Sequence, residues 1–244
     1  MKKKFEIQDT LYEFPYHYLA HLDDGVPQIK RSLGWGIEYL TYMGYVIDLI
    51  HSLECTNILD VGCGDGYLLN NLKTPSDKLG VDLSEKAISF AKGFSKSAKF
   101  EVRDIFEMTR QFDVVSLIEV LEHIEDNFVE KFMTQVLRLV KPGGFFVISV
   151  PTTVIPVNKK HYRHYDEKLL SDQVEKVGNL ILVSEKRVYA LSIKLKIILR
   201  LFNNQVYSIN SKRMLSALWK WHISNTYWSD TNAGQHIVRL YRKD

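Results

Sequence analysis

Short, nearly unbroken apolar runs recur along the chain, separated by turn formers and by stretches whose apolar residues fall three or four positions apart. The runs are NILDV (57–61), KLGVD (78–82), KFEVR (99–103), FDVVSLI (112–118), GFFVISV (144–150), NLILVSEKRVY (179–189) and QHIVRLYRK (235–243). Between them the helical period appears. Leu33, Ile37, Leu40, Met43, Ile47 and Ile50 form a stripe within 29–53. A short helix runs through Leu72, and Ser84 with Glu85 opens another. A helix over 127–140 is stopped by Pro142 and Gly143, and Asp166 caps one through Val177. Buried strands alternating with helices predict βαβ units, hence an α/β fold whose mostly parallel sheet is covered by helices on both faces. The expected organisation is an arm and helix (1–56), the α/β core (57–188), an inserted helical lid or substrate segment (189–234), and the last core strand (235–244).

Composition narrows this little. At 244 residues, 45% apolar and 25% charged, the chain can bury a sizeable core. A net charge of +3 demands no polyanionic partner, so nucleic acid is disfavoured. Cys55 and Cys63 cannot build a disulfide framework, the basic start MKKKFEIQDT lacks an apolar signal region, and no run could span a bilayer. A cytoplasmic protein is expected. Nothing in the pattern specifies an oligomeric state.

The first strand leads into VGCGDGYLL, where Gly62, Gly64 and Gly66 open a helix and Asp82 closes the next strand. Glycines there let a ligand approach main-chain N–H groups, and an acid at that distance can hold ribose hydroxyls. The spacing is G-x-G-x-G rather than the dinucleotide G-x-G-x-x-G, and Asp65 inside the turn would repel a pyrophosphate. A cationic amino-acid moiety suits it better. ILDVGCGDG, GVDLSEKAI, RDIFE, FDVVSLIEVLEHI and LVKPGGFFVISVP resemble class I S-adenosylmethionine (SAM)-dependent methyltransferases, most closely over 57–150. The resemblance implies a seven-stranded, Rossmann-like sheet with an antiparallel last strand, and SAM as cofactor. It implies that Asp60, Gly62, Cys63, Gly64 and Gly66 line the methionine portion. Asp82 would hold the ribose and Leu83 face the adenine, with Asp104 and Ile105 at the adenine amino group and Ile118 and Glu119 beside the sulfonium.

Acceptor chemistry points to IEVLEHIEDN (118–127) and to NKKHYRHYDEKLL, which carries His161, Arg163 and His164. Both lie beyond strand ends on the edge where α/β sheets bind ligands, so Glu122, His123 and His161 are the candidate catalytic residues. Glu119, Glu122 and His123, with His161, match a Glu-x-x-Glu-His run and later histidine that bind a divalent cation in small-RNA 3′-terminal ribose 2′-O-methyltransferases. Ubiquinone-pathway O-methyltransferases carry a similar run. Three readings stand: a divalent metal site, a metal-free histidine base, and a purely structural role for Glu122 and His123. His17, His21, His51, His222 and His236 lack such context and read as surface or core residues.

Segment 186–229 holds eight lysines and arginines interleaved with aromatics and no acid. LSIKLKIILRLF and MLSALWKWHI can form amphipathic helices. They would serve as a lid or dimer surface, a platform for an anionic acceptor, a peripheral membrane contact, or a nucleic-acid groove, the last disfavoured by the low overall charge. The resulting expectation is a methyltransferase acting on a sugar, glycan or other small-molecule hydroxyl. The rivals are a metal-dependent RNA ribose 2′-O-methyltransferase and a non-catalytic SAM- or nucleotide-binding module.

Overall fold

The computed structural model describes residues 21–23, 25–28, 33–95, 97–204, 207–209, 211–229 and 233–244. The expected arm over 1–20, His17 within it, and the helix start at 29–32 lie outside the described residues. A small hairpin, β1 (His21–Asp23) and β2 (Val26–Gln28), precedes α1 (Leu33–His51). Then come β3 (Asn57–Val61), α2 (Tyr67–Asn71), β4 (Asp77–Asp82), α3 (Glu85–Phe94), β5 (Lys99–Val102) and β6 (Phe112–Ile118). The second half holds α4 (Val129–Arg138), β7 (Val140–Pro151), α5 (Glu167–Val174), β8 (Leu180–Ala190), α6 (Ile193–Phe202), α7 (Lys212–Asn225), β9 (Trp228–Ser229) and β10 (Gly234–Lys243).

The last eight strands form one sheet in the order β5-β4-β3-β6-β7-β10-β8-β9. From β5 to β7 all pairings are parallel, and β10 is antiparallel to both its neighbours. The expected seven strands are all present. The eighth, β9, is a two-residue antiparallel addition to the edge of β8 that no apolar run announces. Two boundaries also differ from expectation. Helix α4 ends at Arg138 and β7 begins at Val140, so Pro142 and Gly143 lie inside the strand rather than terminating the helix. The reason is pairing: Phe112 N–H bonds Leu139 O at 2.8 Å, and the register slips between Phe112 and Val114, absorbing the extra residues.

One core cluster lies between the sheet and α4–α5, built on Leu59, Val115, Phe146 and Met133. A second, with Val46, Ile58, Leu68 and Val147, joins the sheet to α1–α3. The third packs Leu195 and Leu199 of α6, and Leu215, Leu218 and Trp219 of α7, against Ile37, Tyr39 and Leu40 of α1. Segment 189–234 is therefore integrated into the core through α1. Among the described residues no helix is long and apolar enough to cross a membrane.

Candidate active site

Strand order reverses between β3 and β6, and ligand crevices of open α/β sheets lie at such switch points, beyond the carboxyl ends of the strands. A cavity of about 300 Å³ lies there. Gly62, Cys63 and Gly64 after β3, Ile118 at the end of β6 with Glu119 after it, and Pro151 at the end of β7 line it. Helix α1 contributes Trp35, Glu38, Tyr39, Tyr42 and Met43, and the loop after β7 contributes Asn158, Lys160 and His161. Among the described residues of 189–234 none lines it, and α6 and α7 of the segment expected as a lid pack on α1, one layer out.

The glycine turn spends its amides inward. Gly62 and Cys63 N–H bond Val81 O at 2.8 and 3.1 Å, Gly66 N–H bonds Cys63 O at 2.9 Å, and Gly64 N–H bonds Asp82 Oδ2 at 3.0 Å. The turn is thus not the nest of outward N–H groups that a phosphate needs, and the glycines do not serve to expose amides to a ligand as the sequence suggests. Their necessity is steric: Gly62 has φ +71°, and a Cβ there would stand 2.5 Å from Val120 Cγ2. With Asp60, Asp65 and Asp82 around it, the turn suits a cationic ligand.

The cofactor candidates divide. Gly62, Cys63, Gly64, Ile118 and Glu119 line the cavity, whereas Asp60, Gly66, Asp82, Leu83, Asp104 and Ile105 do not. Asp60 is buried beneath the turn and accepts from Ser116 Oγ at 2.7 Å; burial raises its carboxyl pKa to about 7 against that hydrogen bond. Burial, with Asp60, Asp82 and Asp65 nearby, pushes the Cys63 thiol well up, so it stays a neutral thiol. Gly66 caps α2 at φ +79°. Asp82 also accepts from Ser84 N–H at 2.8 Å, Asp104 accepts from Phe106 N–H at 3.0 Å, and Ile105 is buried. Leu83 and Phe106 stay 52% and 37% exposed.

The two histidine-bearing loops meet as their positions on one sheet edge demand. His123 and His161 stand edge to face with ring centroids 4.7 Å apart. A donor atom from each of Glu122, His123 and His161 lies within 4.8 Å of the others. Arg163 holds this junction: its guanidinium donates to Leu121 O at 3.1 Å and to Ile124 O, and pairs with Asp126 at 2.5 Å.

Backbone carbonyls set the tautomers. His164 Nδ1 faces Ile155 O at 2.8 Å and must donate, so its Nε2 accepts from His161 Nδ1 at 2.7 Å. That leaves the lone pair of His161 on Nε2, where Asn158 Nδ2 approaches to 3.2 Å. His123 Nδ1 likewise donates to Lys160 O at 3.2 Å, leaving the Nε2 lone pair 3.7 Å from Glu122 Oε1. Such outer partners orient imidazoles as metal ligands or bases. Glu122 is 1% exposed, and its Oε2 has no hydrogen-bond partner among the described residues. Burial and the Glu119 charge raise its pKa well above the carboxylate range.

Glu119 turns elsewhere. At φ +55° it leaves the strand in a left-handed conformation, accepts from Ser149 Oγ at 2.5 Å, and meets His236 Nδ1 at 3.0 Å. His236 Nε2 meets Glu38 Oε1 at 3.1 Å. Burial works to lower the His236 pKa, but the two carboxylates outweigh it and raise the value to about 10. Burial alone would raise Glu119; the His236 cation instead holds it below its usual range. The sequence pattern marks His236 only for a surface or core role, and Glu38 for none. The available signal was topological: β10 is antiparallel, so its first residues lie at the carboxyl edge of the parallel strands. His222 does fit a core role, buried between Thr41 Oγ1 at 2.7 Å and Thr226 Oγ1 at 2.6 Å.

A family described as a methyltransferase domain matches residues 53–218. Ubiquinone biosynthesis O-methyltransferase from Bordetella avium is 33% identical over 114 residues, 43% of this chain and 46% of that protein. The protein of the same name from Sinorhizobium medicae is 36% identical over 111 residues, 42% of this chain and 44% of its own length. The matched stretch thus spans about half the length of these curated relatives. Among solved structures, the N-methyltransferase NodS from Bradyrhizobium japonicum in complex with S-adenosyl-L-homocysteine aligns over 98% of both chains. Its TM-score is 0.64 at 14% identity. Magnesium protoporphyrin IX methyltransferase from Synechocystis with bound SAM covers 99% of this chain and 97% of its own, with a TM-score of 0.62 at 13% identity. At these identities the two structures speak for the fold.

Proposed function

Because the chain belongs to the class I SAM-dependent methyltransferase family, we propose that it methylates a hydroxyl oxygen of a small molecule, of sugar, glycan or related type. The observation that carries this reading is the convergence of Glu122, His123 and His161 in the cavity that the glycine turn and Glu119 also line. Bound SAM supplies an electrophilic methyl group for in-line displacement by the acceptor oxygen. An amine needs only to be unprotonated, whereas a hydroxyl gains from a group that removes its proton, and the two histidine lone pairs provide one.

Asp82 holds the ribose hydroxyls on lone pairs beyond those used by Gly64 and Ser84, while Leu83 and Phe106 cover the adenine. Asp104 and Ile105 meet its amino group, and Asp60, Cys63 and Gly66 support the methionine portion from beneath. Glu119, kept anionic by His236, faces the sulfonium charge. Trp35, Tyr39 and Tyr42 wall the acceptor side, and His161 Nε2 takes the acceptor proton while His164 fixes the ring. The relatives' name, O-methyltransferase, supports oxygen as the atom modified.

Glu122 Oε2, without a hydrogen-bond partner among the described residues, favours a second version of the same chemistry. Glu122, His123 and His161 would hold a divalent ion, which lowers the pKa of a hydroxyl bound to it. The test uses labelled SAM and a panel of hydroxylated acceptors. His123→Ala and His161→Ala should each cut turnover by about two to four orders of magnitude while SAM affinity stays nearly unchanged. Activity lost to a chelator and restored by a divalent ion assigns the metal; indifference to the chelator assigns the histidine base. Full turnover in His161→Ala, or transfer only to nitrogen acceptors, would sink both versions.

A further inference from the structure

Helix α6 presents the wrong face to water. Leu195 and Leu199 turn inward onto α1, as an amphipathic helix requires. On the opposite side Ile193, Ile197 and Leu201 are 77%, 55% and 57% exposed. Spaced four apart, they form one continuous ridge rather than the scattered exposed apolar residues of an ordinary surface. At 100° per residue, Lys196 and Arg200 flank the ridge on one side and Lys194 on the other, all exposed. Residues 186–229 contain no aspartate or glutamate. A second copy docking by two-fold symmetry would bring like-charged rows together. A surface with an apolar interior and an anionic skin matches both features.

We propose that α6 is a membrane-surface contact, with Ile193, Ile197 and Leu201 seated at the acyl boundary of an anionic bilayer and Lys194, Lys196 and Arg200 against the lipid phosphates. The contact is independent of the transfer reaction. Its test uses the full chain and vesicles of phosphatidylcholine, with or without phosphatidylglycerol. The chain should co-sediment with the anionic vesicles about tenfold or more in preference to neutral ones, and added salt should weaken the association. Ile197→Glu with Leu201→Glu should lower partitioning about tenfold or more, leaving the melting temperature and its shift on adding SAM unchanged, because both side chains are exposed. Lys196→Glu with Arg200→Glu should erase the preference for the anionic lipid. Equal binding to both vesicle types, or binding insensitive to the apolar substitutions, overturns the proposal. So does a result in which those substitutions split a dimer, seen by light scattering, without changing vesicle binding.

Discussion

Two buried histidines give the molecule opposite pH limits. Burial lowers the His222 pKa to about 4, below its unfolded value of 6.5. The unfolded chain therefore takes up the proton first, and stability falls as pH drops from about 6.5 towards 4. His236 behaves in reverse. With a folded pKa of about 10, its contribution is complete below 6.5 and is lost as pH rises through 10. Thermal melts across pH should show both limbs. His222→Gln should lower stability at neutral pH yet flatten the acid limb. His236→Gln should fall furthest below wild type at or under pH 6.5 and converge with it near pH 10. A variant pair with unchanged limbs would mean that other groups titrate there. His236 also shows why a residue can escape sequence reading. Its partners Glu38 and Glu119 stand 198 and 117 positions away, and nothing local to QHIVRLYRK marks the pairing.

At the scale of elements, the turn after β3 depends on one close approach. Gly62→Ala adds a methyl 2.5 Å from Val120 Cγ2 at a φ of +71°, so it should cost about 2 kcal/mol or more and weaken SAM binding. Val120→Ala in the same chain should recover the steric part but not the backbone part. Denaturant titration of the four chains checks this; simple additivity would show that the clash is relieved some other way. The glycine pattern, the Ser84 and Asp166 caps and the buried parallel strands were legible because each is a local device whose residues are neighbours in sequence. The start of β7 was not. Lys-Pro-Gly-Gly reads as a helix stop, but Val140 before it and Phe145 after it pair with β6, and those long-range hydrogen bonds outvoted the local signal. The Glu122–His123–His161 cluster was legible for a mixed reason: both loops follow strands on one edge, so topology brought them together. The relay through His164 depends on carbonyl positions that only coordinates supply.

For the whole molecule, the placement of α6 and α7 alters what a deletion should do. A detachable lid could be removed with SAM binding intact. Here Leu195, Leu199, Leu215 and Trp219 pack against Ile37, Tyr39 and Leu40 of α1, the helix whose Tyr39, Glu38 and Tyr42 also wall the cavity. Removing 191–226 should therefore depress the melting temperature and SAM binding together, not transfer alone. SAM itself, at about 100 times its dissociation constant, should stabilise the intact chain by about 2.7 kcal/mol, whereas NAD, whose pyrophosphate meets an inward-facing turn and Asp65, should not. Calorimetry with each ligand checks this, and equal stabilisation by both would contradict the cation-favouring turn.

The position of β10 has a consequence for how the protein is made. In space it separates β7 from β8, but in sequence it follows both. A ribosome releases β8 roughly fifty residues before the strand that must sit between it and the finished part of the sheet, a wait of about 3 to 10 seconds at ordinary elongation rates. For most of that interval Ile181, Leu182 and Val183 belong to a strand without a sheet neighbour, because β9 follows late and pairs only Arg187 and Val188. His236 arrives with β10, so Glu38 and Glu119, both synthesised long before, lack their shared cation until then. The nascent chain is thus open to chaperone capture or mispairing at one defined stage of translation, and its ligand cavity is completed only as β10 docks.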